Sequence, residues 1–125
     1  MRFTHEEQRP VVLVVEDEAL VRLNAVEMIE EAGFAAVEAA NADKAISILE
    51  SRDDIRFVFT DVQMPGSMDG LRLAHVIRDR WPPIKLIVTS GHTTVTESAL
   101  PRGGRFVRKP YQLFEIARAL QELAA

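Results

Sequence analysis

Three carboxylates stand side by side in Glu16-Asp17-Glu18, and a further one, Asp61, closes the apolar run Phe57-Val58-Phe59-Thr60. Thr89-Ser90-Gly91 brings hydroxyls to the end of another apolar run, and Lys109 lies between Arg108 and Pro110. Carboxylates gathered in one place repel one another, and partial burial strengthens the repulsion. A fold tolerates this only where something positive offsets it. Lys109 is one candidate. A hard divalent cation such as Mg²⁺, held by one or two carboxylates together with carbonyls and waters, is another. Each stretch also has an ordinary explanation. Acids suit a helix start, Asp61 suits a turn before Pro65, Lys109 suits a solvated edge, Ser90-Gly91 a loop, and Phe106 plain core. Singly these suffice, but they do not explain five groups meeting at one place.

Whether they meet depends on the elements. Val11-Val12-Leu13-Val14-Val15 is a continuous apolar run, the pattern of a strand covered on both faces. Residues 18–32 carry Val21, Ala25, Met28, Ile29 and Ala32 at helical spacing, stopped by Gly33. Phe34 to Val37 reads as a weaker second strand, and Asn41 caps a helix with Ala45, Ile46 and Leu49 inward. Phe57 to Thr60 is the third strand. Asp69 caps a helix using Leu73, Ala74 and Ile77, which ends before Pro82-Pro83. Ile84 to Thr89 and Arg105 to Arg108 supply the last two strands, and Leu113, Ile116, Ala117 and Leu120 line a final helix. Five strands alternating with helices specify an α/β fold: a doubly wound five-stranded parallel sheet with helices on both faces. In such sheets ligands bind outside the carboxyl ends of the strands, where strand order reverses. Glu16-Asp17-Glu18, Asp61, Ser90 and Lys109 all follow strands, so the pattern carries them to one rim.

Composition narrows the classes. The chain has 125 residues and a net charge of -4, which argues against direct binding of nucleic acid by a clustered basic face. It has no cysteine, hence no thiolate metal site and no disulfide framework. Apolar runs of about five or six residues fall far short of the ~20 that span a membrane. The polar start "MRFTHEEQRP" lacks a signal-peptide core, so residues 1–9 read as a flexible leader, residues 10–125 as one domain, and the location as cytoplasmic. His5, His75 and His92 are scattered and suggest no metal site.

"VVEDE" (14–18), "FTDVQMP" (59–65), "IVTSG" (87–91) and "FVRKP" (106–110) occur in order on the expected strands. With these motifs the chain resembles the receiver domain of a two-component response regulator, of the single-domain type. The match runs from residue 11 to about 122. The resemblance implies the flavodoxin-like strand order 2-1-3-4-5 and Mg²⁺ as cofactor. It implies that Asp61 accepts a phosphoryl group from a sensor histidine kinase or histidine phosphotransferase, and that the chain is a phosphoacceptor rather than a turnover enzyme. Asp17 then ligates the metal directly, Glu16 through water, and Gln63 through its backbone carbonyl, beside Asp61 itself. Lys109 pairs with Asp61 and then with the phosphoryl oxygens. Ser90 takes the hydroxyl position that bonds the phosphoryl group after transfer, Phe106 the aromatic switch position, and Pro110 the place where a cis bond is common. The side chain of Gln63, two residues past Asp61, would influence phosphoryl lifetime through water access. Trp81 falls opposite the site, so its fluorescence should report Mg²⁺ poorly.

Two departures qualify the resemblance. Asp61 to Gly70 is one residue longer than the usual receiver spacing, so "PGSMDG" holds an insertion. "HTTVTESALPRGG", rich in Thr and ending in Pro101 and Gly103-Gly104, is about three residues short. The fourth helix is therefore expected to be short, irregular or missing, and the chain a monomer or weak dimer. One helical pattern follows Lys109-Pro110 in the sequence, giving the expectation of a stand-alone regulator without an output domain that acts through a protein partner. The alternatives are an excised receiver of a multidomain regulator or hybrid kinase, a haloacid-dehalogenase-type aspartyl-phosphate hydrolase, and a flavodoxin-like binder. The hydrolase would carry its nucleophile and second acid two residues apart on the first strand. The binder would need a phosphate loop after that strand.

Overall fold

The structure, a computed structural model, describes residues 9–92 and 94–125. The leader expected over residues 1–9 lies outside the described residues except for Arg9. Strand β1, Val11–Val15, is followed by helix α1, Ala19–Glu31; β2, Ala35–Ala39; α2, Ala42–Ser51; and β3, Ile55–Asp61. Then come α3, Gly70–Arg80; β4, Lys85–Ser90; a 3-10 helix, Glu97–Ala99; β5, Arg105–Arg108; and α4, Leu113–Ala124. The strands form one parallel sheet in the order β2-β1-β3-β4-β5. This is the doubly wound fold expected from the alternation of elements.

Each helix boundary has a local cause. Gly33, at φ 100°, accepts the left-handed turn that ends α1. The Asn41 side chain accepts the Lys44 amide and that of Asp69 accepts the Arg72 amide, capping α2 and α3. Helix α3 stops at Trp81, before Pro82-Pro83. Gln112 and Glu115 form a reciprocal capping box at the start of α4. Glu18 precedes α1, yet its side chain caps no amide. A capping bond therefore does not account for Glu18.

The core lies in two layers. Leu13, Val15, Val58, Leu86 and Val88 pack with α2 and α3 on one face. Val12, Val14, Phe57, Phe59, Ile87 and Val107 pack with α1 and α4 on the other. Residues 12–15 and 86–88 are accordingly buried throughout, as expected of strands sandwiched between helices.

Three strands have boundaries that differ from the sequence expectation. Strand β2 starts at Ala35 and runs to Ala39 instead of covering 34–37. Phe34 N–H donates to Ile29 O, finishing α1, and its ring packs edge-on against Phe57 at 5.5 Å. Strand β3 runs from Ile55 to Asp61 rather than over 57–60, and β4 from Lys85 to Ser90 rather than over 84–89, Ile84 instead joining the turn through its amide bond to Trp81 O. Between β4 and β5 a three-residue 3-10 helix stands in place of the fourth helix of the expected pattern. Thr-rich sequence and Pro101 favour no longer run there. Among the described residues, no helix is long and apolar enough to cross a membrane.

Candidate functional site

Adjacent strand ends place the acids. Glu16 directly follows β1, and its amide donates to Ala39 O at the end of β2 at 3.1 Å. Asp61 is the last residue of β3, which lies between β1 and β4 in the middle of the sheet. Lys109 follows β5, its amide donating to Ser90 O at 3.1 Å. The Lys109 ammonium reaches back across the rim, donating to Glu16 Oε1 at 3.0 Å and to Asp61 Oδ2 at 3.1 Å. One amine thus bridges two carboxylates that are 4% and 5% exposed, a burial that charged groups bear only when paired.

One ammonium does not satisfy them. Glu16 Oε2 accepts the Glu18 amide at 3.1 Å, but Asp61 Oδ1 is buried and has no hydrogen-bond partner among the described residues. Carboxylate oxygens of Glu16, Asp17 and Asp61 all lie within 4.8 Å of one another. An unpaired buried carboxylate oxygen beside two further acids is a donor set of hard oxygens, and it fits a hard divalent cation. The charge imbalance is felt by the neighbours. At Asp17, loss of water leads in raising the carboxyl above its usual value, followed by hydrogen bonding to Glu16 and repulsion from it. Burial works to lower the Lys109 pKa, yet its bonds to Glu16 and Asp61 prevail and hold it above the ordinary 10.5. Burial also raises the hydroxyl of Tyr111, whose ring meets Phe59 edge-on at 5.4 Å beneath the rim.

The other expected residues gather around this pair. Ser90 is buried and its hydroxyl donates to Gln63 Oε1 at 2.8 Å. Phe106 pairs in register with Val88 on β4, half-buried against the α2–α3 core. The Lys109-Pro110 bond is cis. A cavity of about 550 Å³ opens over the rim, lined by Asp17, Asp61, Gln63, Met64, Gly91 and Lys109. A larger groove of about 690 Å³, lined by Arg52, Ile55, Trp81 and Pro83 among others, contains none of the expected site residues. Trp81 lies on that groove, outside the rim cavity, and His92 is exposed.

Several contributors were not identified from sequence. Arg22, on the first turn of α1, donates to the Glu16 carbonyl at 2.8 Å and to Glu38 Oε1 at 2.9 Å, fixing the main chain that carries the acids. Gly70 comes so close to the end of β3 that a Cβ there would strike the Asp61 carbonyl. Its amide donates to Val62 O at 3.0 Å, closing the loop after Asp61. Thr89, next to Asp61 in the sheet register, keeps a buried hydroxyl with no partner among the described residues. A basic residue one turn into α1 and a glycine opening α3 were the available signals for the first two.

The family model for the response regulator receiver domain matches residues 12–121. The chain belongs to this family. The receiver is 34% identical over 116 residues to the sensor kinase CckA of Brucella abortus, covering 90% of this chain and 12% of that protein. It therefore spans about an eighth of that relative's length. In structure it resembles a response regulator receiver protein from Sinorhizobium medicae, with TM-score 0.86, 26% identity, and coverage of 94% and 95% of the two chains. It also resembles the response regulator TrrA of Thermotoga maritima in complex with Mg²⁺ and beryllofluoride. There the TM-score is 0.78, the identity 26%, and the coverage 90% and 97%.

Proposed function

We propose that this receiver accepts a phosphoryl group on Asp61 from a phosphohistidine, in a Mg²⁺-dependent reaction, and signals by a change of conformation. The observation that carries this reading is the Asp61 carboxylate itself: one oxygen is held by Lys109 and the other is buried with no partner among the described residues. In the reaction a carboxylate oxygen of Asp61 attacks phosphorus as the P–N bond breaks, and the imidazole of the donor keeps the bonding pair. The donor class is a histidine kinase or histidine phosphotransferase.

Asp17, Asp61, the Gln63 carbonyl and, through water, Glu16 would hold the metal. Mg²⁺ bound there would neutralise charge on the phosphoryl oxygens, which is most of what a loose phosphoryl-transfer transition state needs. The chain's own residues do the rest. Lys109 is already placed between Glu16 and Asp61, and its ammonium can follow the growing charge on oxygen without leaving the rim. The acyl phosphate then brings strong acceptors next to the Ser90 hydroxyl. Movement of Ser90 would be passed from β4 to Phe106 on the adjacent β5, two strands from Asp61 and three from Asp17, where Phe106 lines a separate surface cavity with Val95, Leu100 and Pro101.

The test is incubation with acetyl phosphate and Mg²⁺, read by intact mass. Wild type should gain the mass of one base-labile phosphoryl group, and Asp61→Asn should gain none. A wild type that stays unmodified, or an Asp61→Asn variant modified equally, removes the reading.

A further inference from the structure

The Ser90 hydroxyl has one proton, and that proton is already committed. Ser90 is 1% exposed; its Oγ donates to Gln63 Oε1 at 2.8 Å and accepts the His92 amide at 3.4 Å. A serine hydroxyl carries a single O–H donor and two lone pairs. A phosphoryl group on Asp61 offers only acceptors to it, so Ser90 cannot bond the phosphoryl oxygen and Gln63 Oε1 through its donor at the same time. Resting on the phosphoacceptor reading above, we propose that Gln63 is a positioning residue that latches Ser90. Its amide oxygen holds the hydroxyl in the unphosphorylated protein and gives it up when the phosphoryl oxygen competes for the same proton.

The role is separate from any that Gln63 has through its main chain, since this bond is made by the side-chain amide oxygen. The arrangement has a thermodynamic consequence. Part of the free energy gained by the new hydrogen bond is spent on breaking the old one, so the latch biases the receiver toward its unphosphorylated form. Removing the amide oxygen leaves a buried hydroxyl that has lost this acceptor, and the unphosphorylated form is penalised instead. Gln63→Leu keeps side-chain bulk and removes the acceptor. Ser90→Ala removes the donor.

Two measurements test the latch. In the first, NMR of the unligated protein follows the Gln63 side-chain amide. Its resonances should move in Ser90→Ala, and unmoved resonances mean that the contact is absent and overturn the proposal. In the second, calorimetric titration with beryllofluoride at saturating Mg²⁺ compares wild type, each single variant and the double variant. Gln63→Leu should tighten binding about threefold to tenfold, the weight of one neutral hydrogen bond, and should have no effect in the Ser90→Ala background. An equal effect in both backgrounds would show that Gln63 acts without Ser90, and unchanged or weakened binding in Gln63→Leu would show that nothing is being held back. Either overturns the latch while leaving Asp61 as phosphoacceptor. A wild type that binds no beryllofluoride removes the phosphoacceptor reading and the exchange together.

Discussion

Lys109→Met should slow phosphoryl uptake from acetyl phosphate by about 10²–10³-fold, the cost of removing one preorganised donor from a developing oxyanion. The side chain pairs with both Glu16 and Asp61, and its ammonium stands where charge on the transferring oxygens would grow. Methionine preserves the length of the stem and its packing, so the loss reports the charge. A rate within about fivefold of wild type would mean that Lys109 is structural. The same substitution should change stability in a way that depends on the cation. Without Mg²⁺ it leaves two nearly buried carboxylates without their counter-charge. The cost should be about 2 kcal/mol, below the ~3–5 kcal/mol of fully buried pairs because the lysine side chain keeps 23% of its exposure. With saturating Mg²⁺ most of that deficit should disappear. Denaturant melts with and without Mg²⁺ measure both. The pH dependence has a definite sign. Since the Lys109 pKa is raised above 10.5 in the folded protein, its stabilising contribution is complete below that value and is lost as pH climbs past it.

Gly70→Ala should lower stability by about 3 kcal/mol or more, the upper end of overpacking costs, with a fall in Tm of roughly 10 °C. A Cβ at this position would overlap the carbonyl oxygen of Asp61 and stand 2.6 Å from its carbonyl carbon and 2.7 Å from Thr60 Oγ1. Two of the three obstacles are main chain, so no rotamer change relieves them. Either α3 retreats from the sheet or the end of β3 shifts, and the second course moves Asp61. Thermal melts and acetyl phosphate uptake should therefore both suffer. Gly66 gives the contrast. A Cβ there would meet no atom of the described residues within 4 Å, and its φ of 113° is what opposes substitution. Gly66→Ala should cost about 1 kcal/mol, typical of forcing an L-residue into the left-handed region. If Gly70→Ala proves no worse than Gly66→Ala, the close approach of α3 to Asp61 is not real.

What could be read from the sequence followed the strength of the local signal. Val11–Val15 and the run ending at Asp61 are apolar without interruption, and both lie inside the sheet. Strand β2 was harder to place. Ala35-Ala36-Val37-Glu38-Ala39 is half-buried edge sequence, alanine has little strand preference, and Phe34 belongs to the turn that ends α1. The segment after Ser90 was legible as a defect in the pattern, and the three-residue 3-10 helix is what its threonines and proline permit. At the site, Glu16, Asp17, Asp61 and Lys109 were found because each ends or follows a strand, and topology alone brings such residues together. Arg22 on the Glu16 carbonyl, Ser90 on Gln63 and Tyr111 on Phe59 were not found. These contacts depend on rotamers and on main-chain positions set by tertiary packing, and neither leaves a periodic trace in the residue order.

The two partners of the ion pair differ in how firmly the fold grips them. Asp61 ends the central strand, which pairs with β1 and β4, while Lys109 directly follows the border strand, which among the described residues pairs with β4 alone. A disturbance at that border, whether from a docking protein or from a substitution in Arg105–Arg108, would leave the acid where it is and displace its counter-ion. On the phosphoacceptor reading, the reactivity of the acid would then be open to adjustment from a neighbouring part of the sheet, through its counter-ion alone.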